Sequence, residues 1–189
     1  MYCIDIMKEE HRNISYMLSA IRKACVAILD GGEVNDGEMR RMIDFTRSYA
    51  DHYHHGKEEK FLFPEMEREL GMIGESLIRH GMLVEHDLGR AHVADWEAAL
   101  DLYRQDPKTE HKLDILTGAM GYADLLNRHV EKENNVVYTF AEDKLSEAAR
   151  TGIDEKARNF EEDPASSEVR EKYLAFLDEM MKKYSISRK

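Results

Sequence analysis

The sequence predicts an all-α protein, an up-down-up-down four-helix bundle with an extra C-terminal helix. Four long segments carry apolar residues mostly at three- and four-residue steps, the spacing that lines one face of a helix. No run of alternating Val, Ile and Thr indicates a strand. Short connections of turn residues join the segments, which is the pattern of neighbouring antiparallel helices.

The first helix is predicted over residues 5–29. Asp5 can cap its N-terminus, because a side-chain oxygen there accepts from the free backbone N–H groups of the first turn. Gly31 and Gly32 then end the helix, since glycine readily adopts the backbone conformation that terminates one.

The second helix is predicted to begin near Asp36 and to run at least to Phe63. Pro64 should kink or end it, because proline lacks a backbone N–H and its ring clashes with the preceding turn. A third helix is predicted over residues 75–103, and a fourth begins near Thr109.

The C-terminal part contains a polar stretch with Pro164 and then a shorter fifth helix, which Ser166 or Ser167 can cap. The length of the chain favours one domain with a small appendage. We therefore divide the chain into a helical bundle over residues 1–150 and a C-terminal helical extension over residues 151–189.

The composition limits the function. A net charge of −11 disfavours binding to nucleic acid or to anionic membranes, which repel an acidic protein. No apolar run reaches the roughly 20 residues that span a bilayer, and the N-terminus lacks the basic and apolar regions of a signal peptide. We expect a cytoplasmic protein in which Cys3 and Cys25 are free, reduced thiols.

Histidines and glutamates concentrate in the sequence HHGKEE at residues 54–59. His54 and Glu58 are four residues apart, as are His55 and Glu59, so each pair lies on one helical face and can reach one metal ion. Successive helical residues are about 100° apart, so the two pairs point in different directions. The local spacing alone does not choose between them.

An internal repeat distinguishes between these two pairs. His129 and Glu133 form a second His-x-x-x-Glu, and they follow His54 and Glu58 at one constant offset along the chain. The same offset relates three further pairs, which are Glu10 and Glu85, His11 and His86, and Lys57 and Lys132. The chain therefore contains two copies of one helical pair, and the matching positions are mostly potential metal ligands.

The repeat does not extend to the second local pair, because His55 and Glu59 map onto Val130 and Asn134. We therefore expect His55 and Glu59 to support the site from outside or to face solvent. Replacing either by alanine should leave metal binding largely intact, whereas replacing His54 or Glu58 should abolish it. This expectation rests wholly on the internal repeat.

Six residues form the predicted metal site: His11, His54, Glu58, His86, His129 and Glu133. Inward-facing residues at mid-helix converge in a four-helix bundle, and cofactor sites are built there. Imidazole suits iron, zinc and copper, and the two carboxylates favour a harder ion such as iron or manganese. Two carboxylates that bridge two ions would leave an open position, which suits a binding or reactive site.

These motifs resemble those of the hemerythrin-like (HHE cation-binding) family. They are EEHR around His11, HHGKEEKFLFP from His54, MLVEHDLGR around His86 and HVEKE from His129. The resemblance covers roughly residues 1–140 and implies a centre of two non-haem irons with an oxo or hydroxo bridge. It also implies that Glu58 and Glu133 bridge the irons and that the four histidines are terminal ligands.

The sequence departs from the oxygen-carrying members of that family on the third helix. Those members have a His-x-x-x-His there, whereas His86 has Met82 and Arg90 at the corresponding spacings. His80, six residues from His86, is poorly placed to supply the missing imidazole. We expect a ligand set of four histidines and two glutamates, and sensing or redox turnover in preference to stable oxygen carriage.

The expected small-molecule partner is O₂, NO or peroxide, and the sequence does not decide between a binding module and an enzyme. A structural or zinc-binding bundle is the alternative, because zinc can substitute for iron although it usually takes four ligands. Tyr49, Tyr53 and Tyr122 are candidates to hydrogen-bond a bound molecule. The fifth helix either covers the bundle or mediates a homodimer.

Overall fold

The computed structural model describes residues 1–188, which are helical almost throughout and contain no strand. The α-helices of this range are α1 (Tyr2–Leu29), α2 (Asp36–Phe45), α3 (Phe63–Leu77), α4 (Leu83–Gln105), α5 (Thr109–Lys132), α6 (Tyr138–Lys144), α7 (Glu147–Glu162) and α8 (Pro164–Lys183). Wider π-helical segments link several of them: π1 (Thr46–His55), π2 (Glu58–Leu62), π3 (Ile78–Met82) and π4 (Glu133–Val137). The predicted all-α bundle is confirmed. None of the helices within residues 1–188 is long and apolar enough to cross a membrane.

The first helix begins at Tyr2, so Asp5 lies inside it and is not its cap. The backbone N–H groups of Tyr2 and Cys3 donate to the carboxylate of Asp154 on α7, at 3.1 and 2.9 Å. A carboxylate at a helix N-terminus satisfies free donors and complements the helix dipole. A distant part of the chain therefore caps α1, which no local pattern reveals.

Pro64 does not end the second long helix. It lies in the first turn of α3, directly after π2, and the chain is helical on both sides. The wider turn of π2 relaxes the clash with the preceding carbonyl that otherwise breaks a helix at proline. The break comes at Gly71 instead, where φ is 56° and ψ is −139°, a conformation that glycine adopts without strain.

The helices α4 and α5 pack closely against each other. A Cβ added to Gly118 of α5 would lie 2.8 Å from the backbone of Trp96 on α4, so only glycine permits this approach. Trp96 itself is fully buried. The contact brings the third and fourth long helices together, and these helices carry half of the predicted site.

Two apolar clusters fill the interior, and a polar layer separates them. On α1, His11 follows Met7 of the smaller cluster and precedes Ile14 of the larger one. Histidines on the other long helices lie at the same level of the bundle. The polar layer is therefore closed off on both sides by packed apolar side chains.

The polar stretch before Pro164 contains the helix α7. The side chain of Ser146 caps it by accepting from the N–H of Ala149. The sequence did not single out this helix, because a serine that can start a helix looks like any other turn residue. The boundary between residues 150 and 151 falls inside this helix.

The helices α7 and α8 together cover the bundle. α7 adds Ile153 and Ala157 to the smaller cluster, and α8 adds Phe176 and Leu177 to the larger one. The extra C-terminal helix is thus confirmed as part of a helical pair. The N-cap of α8 is Asp163, which accepts from the N–H groups of the two residues after Pro164. Neither Ser166 nor Ser167 is the cap, contrary to the prediction.

Candidate metal centre

The polar layer gathers seven potential ligands in two overlapping groups. One group contains His55, Glu58, His86 and His129, and the other contains His11, His54, Glu58 and Glu133. Within each group, one nitrogen or oxygen atom of each residue lies within 4.8 Å of the others, and every member is buried. The structure brings all six residues of the predicted site together and adds His55.

Several buried atoms at the centre of these groups lack partners. His54 Nε2, His55 Nε2, Glu58 Oε2 and both carboxylate oxygens of Glu133 form no hydrogen bond within residues 1–188. A buried polar atom without a partner costs about 1–3 kcal/mol, so such atoms are rare unless a further group binds them. Imidazole nitrogens and carboxylate oxygens ligate metals, and their convergence here fits a bound cation.

Glu58 and Glu133 both reach both groups. Oε2 of Glu133 lies 3.1 Å from Nε2 of His11 and 3.2 Å from Nε2 of His129. Nε2 of His86 lies 3.5 Å from Oε2 of Glu58 and 3.8 Å from Oε1 of Glu133. Two shared carboxylates between two sets of imidazoles suit a pair of adjacent ions.

His55 does not lie where the internal repeat predicts. Its side chain is buried, its Nδ1 is 3.3 Å from Asp51, and its Nε2 joins the first group. His54 and His55 diverge, as adjacent helical residues must, but they enter adjacent groups, with ring centres 5.5 Å apart. The internal repeat does not reveal His55, because the equivalent position in the other half is Val130, which cannot bind a metal.

Two glutamates orient two of the histidines from outside the site. Nδ1 of His54 is 2.8 Å from Glu10, and Nδ1 of His129 is 3.0 Å from Glu85. A carboxylate on one ring nitrogen directs the other nitrogen at the metal and makes it a stronger ligand. Glu10 and Glu85 are equivalent positions of the internal repeat, which therefore includes these supporting partners.

The remaining two repeated histidines also have equivalent supports. Nδ1 of His11 is 2.8 Å from Asn134, and Nδ1 of His86 is 2.7 Å from Glu59. Asn134 and Glu59 are again equivalent positions of the repeat, although they differ in charge. Glu59 thus supports the site from outside, one of the two alternatives expected for it, and it also accepts from Arg90 at 2.7 Å.

Tyr138 is a site residue that the sequence analysis missed. Its hydroxyl donates to Glu58 at 2.5 Å and lies 3.4 Å from Nε2 of His11, and its ring stacks on His11. The equivalent position in the other half is Phe63, which stacks on His86. The constant offset that revealed the ligands would also have singled out this aromatic pair.

The three predicted tyrosines lie elsewhere. The hydroxyl of Tyr49 accepts from Asn13, and that of Tyr53 donates to Glu161 on α7. Tyr122 is buried beside a cleft that approaches the site. Among residues 1–188, the hydroxyls of Tyr49 and Tyr53 therefore bond to partners outside the two ligand groups.

Burial favours the neutral forms of His54 and His55, whose Nε2 atoms have no hydrogen-bond partner within residues 1–188. Burial lowers the pKa of His54, and the neighbouring His11 lowers it further. Burial also lowers the pKa of His55, together with the nearby ring of His86, to about 3. A neutral imidazole is the form that binds a metal, so these side chains are prepared for ligation at pH 7.

The two central carboxylates have opposite pKa shifts. Burial raises the pKa of Glu58, and the adjacent negative charge of Glu133 raises it further. Burial also opposes ionisation of Glu133, but His129 and His11 outweigh it and lower the pKa. A cation between the carboxylates would remove their mutual repulsion, which is the usual result of metal binding.

Widened helical turns adjoin the ligands on two of the long helices. π1 ends at His55, π2 begins at Glu58 and π4 begins at Glu133. π-helical turns are rare and frequently lie at functional sites, because they change the direction of the side chains that follow. The apolar periodicity of the sequence gives no sign of them.

A cleft reaches the first group from the surface. Its lining includes His55, His86 and Gly89, and it has room of about 160 Å³. Arg90 stands at this cleft and donates to Asp51 at 2.7 Å. The cleft borders the three-histidine side of the site.

The fold and the site together define a metal-binding helical bundle, with potential ligands from all four long helices. A family model, the hemerythrin HHE cation binding domain, matches residues 3–141, which is well over half of the chain. The protein therefore belongs to the hemerythrin HHE cation-binding family. No significant match is found among curated proteins or among solved structures.

Proposed function

We propose that this protein holds two non-haem iron ions and uses them to bind or to react with O₂, NO or peroxide. The main support is the pair of overlapping ligand groups that share Glu58, with Glu133 close to both. Five imidazoles and two carboxylates exceed what one ion needs. Their mixture of nitrogen and oxygen suits iron better than a soft metal.

The two ions would have unequal ligand sets. Three histidines and two carboxylates surround one position, whereas two histidines and the same two carboxylates surround the other. An octahedral ion at the second position, beside His11 and His54, would have one more site free of protein ligands. A small molecule would bind there.

Tyr138 supports this assignment. Its hydroxyl lies beside His11 and Glu58, at the position with fewer ligands. Burial raises the pKa of Tyr138, and the charge of Glu58 raises it further, so the phenol keeps its proton. Its single proton is donated to Glu58, and it could be donated instead to a small molecule bound at this position if the hydroxyl turned from that carboxylate.

The surroundings restrict the ligand to a small molecule. The site is fully buried between two apolar clusters, where a large or highly charged molecule would lose its hydration without compensation. Two irons held by these residues would supply reversible two-electron chemistry to such a molecule. The chain contributes the ligands, a proton donor at Tyr138 and the exclusion of water.

The proposal is tested by iron analysis and by absorption spectra of the reduced protein exposed in turn to O₂, peroxide and NO. We expect two irons per chain. A persistent, reversible O₂ spectrum would identify a carrier or sensor, and rapid consumption of peroxide or NO would identify an enzyme. A folded protein that takes up no Fe(II) would overturn the proposal and leave the structural or zinc-binding alternative.

The role of Tyr138 is tested in the same assay by Tyr138→Phe. We expect unchanged iron content and about a tenfold change in the lifetime of the bound small molecule, since one hydrogen bond is lost. Tyr49→Phe is the matched control, because it removes a buried hydroxyl that bonds to Asn13 outside the site. An equal effect of both variants would contradict a direct role for Tyr138.

A further inference from the structure

We infer that Glu161, on α7, is a positioning residue for the metal centre. It acts through Lys57 and Glu10 on His54, and it makes the two halves of the centre inequivalent. The inference rests on the proposed function for the identity of the ions. It concerns a part of the chain beyond residue 141, where the family match ends.

A continuous series of buried polar contacts connects α7 to a metal ligand. Nδ1 of His54 is 2.8 Å from Oε2 of Glu10, and the other oxygen of Glu10 accepts from Nζ of Lys57. Lys57 also donates to Oε1 of Glu161 at 2.6 Å. All four side chains are buried.

The buried ammonium of Lys57 makes this series depend on Glu161. Lys57 is 0% exposed, and an ammonium without counter-charges in such surroundings is strongly unfavourable. Glu10 and Glu161 supply the two counter-charges, and the ring of Tyr53 lies 4.0 Å from Nζ. Without Glu161, the ammonium would rely on Glu10 alone and draw it away from His54.

Glu161 is itself held in place by the C-terminal helices and by the bundle. Its Oε2 accepts from the hydroxyl of Tyr53 and from Arg170 on α8, both at 2.7 Å. Arg170 and Tyr53 therefore fix the carboxylate that fixes Lys57. The pair of α7 and α8 is thus connected to the metal centre by hydrogen bonds as well as by packing.

The other half of the repeat lacks this arrangement. His129 is supported by Glu85, and Glu85 accepts from Lys132, so the first two contacts are the same. The side chain of Lys132, however, is 51% exposed, and no residue within 1–188 stands in the place of Glu161. Water can therefore replace Lys132 as a partner, whereas nothing replaces the buried Lys57.

The proposal predicts that Glu161→Gln changes one iron position only. Partners that support a metal ligand from outside typically contribute about 10–100-fold to metal affinity, and Glu161 acts one step further away. We expect about a tenfold faster release to a chelator for the ion beside His54. The ion on the side of His129 should be released at the wild-type rate.

The test uses full-length protein loaded with ⁵⁷Fe(II), with Glu162→Gln as the matched control, because Glu162 is the exposed neighbour on the same helix. Mössbauer spectra should show one of two iron signals changed in Glu161→Gln and neither changed in the control. Arg170→Gln, which leaves Lys57 and Glu161 in place, should change the same signal less. This second variant keeps the test valid if Glu161→Gln does not fold.

A second measurement separates this inference from the proposed function. NMR spectra of ¹⁵N-labelled histidine are compared between metal-free Glu161→Gln and metal-free wild type. The Nδ1 signal of His54 should be shifted in the variant, and that of His129 should be unchanged. If wild type binds no iron, the proposed function fails and these spectra alone decide the inference. Equal changes at both histidines, or none at either, would overturn it even in a protein that binds two irons.

Discussion

Neighbouring histidines supply different halves of the metal centre. His54 belongs to the group with His11, and His55 belongs to the group with His86, on which its ring stacks at 3.8 Å. Successive helical residues diverge by about 100°, and this divergence lets the two side chains enter two adjacent ligand groups. The two adjacent histidines therefore allow one helix to contribute to both ligand groups.

At this scale, His55→Ala is expected to remove the stable binding of one ion and to leave the other. The variant loses one of the three imidazoles of its group, which should lower affinity at that position by more than about 100-fold. Metal analysis after dialysis against a weak chelator measures the result. The internal repeat had instead predicted that His55→Ala leaves metal binding largely intact.

The control for this change is His52→Ala, since His52 is exposed on the same helical segment. It should retain the full metal content of the wild-type protein. Retention of both ions at wild-type affinity in His55→Ala would show that the repeat alone had identified the complete ligand set.

The two cysteines are expected to be unreactive in the folded protein. Burial raises the pKa of Cys3 to about 12 and that of Cys25 to about 11, so both remain protonated thiols at pH 8. Alkylation by iodoacetamide, followed by mass spectrometry, should be at least about 100-fold slower than in denaturant, and should accelerate as pH rises. Rapid labelling of either thiol without denaturant would contradict this burial.

At the scale of elements, close helix packing depends on one glycine. Gly118→Ala would place a methyl group 2.8 Å from the backbone of Trp96, which cannot move as a flexible side chain could. We expect a loss of about 1–3 kcal/mol in the free energy of unfolding, as for other overpacked interiors. Urea unfolding of the metal-free protein measures it.

Gly152→Ala is the matched comparison on α7, where an added Cβ meets nothing within 4 Å. The same chemical change should there raise stability by about 0.5–1 kcal/mol, because alanine favours a helix over glycine. The two variants should therefore shift the urea midpoint in opposite directions. A common direction would mean that helix propensity, and not the approach of α4 to α5, governs both.

At the scale of the whole molecule, α7 and α8 belong to the same cooperative unit as the bundle. α8 places Leu177 and Met180 in the larger cluster, α7 places Ile153 in the smaller one, and Asp154 caps α1. These contacts connect the C-terminal helices to the bundle at several levels. We infer that neither part retains its structure when the other unfolds.

Metal-free full-length protein is therefore expected to unfold by heat in a single transition. The calorimetric and van't Hoff enthalpies should agree, which is the standard evidence for two-state behaviour. Two resolved transitions, with the smaller one lost on deletion of residues 147–189, would instead show an independent C-terminal extension. That outcome would also remove the basis for the coupling through Glu161.

Much of this molecule follows from patterns within the sequence. Apolar spacing predicts the long helices because burial of one helical face requires it, and Thr109 begins the fourth helix as expected. The constant offset between the two copies brought out His54, Glu58, His129 and Glu133, because equivalent places in two helical pairs need the same ligands. The structure gathers these residues in one buried layer.

Tertiary structure alone decided the features that have no counterpart in the other half or no local signal. His55 stands where the other half of the repeat has Val130, so a search for matching residues passes over it. Asp154 and Glu161 act on residues far away in the chain, and only folding brings them into contact. Repetition and helical spacing are properties of the sequence, whereas the partner of a buried charge is determined by where the chain returns in space.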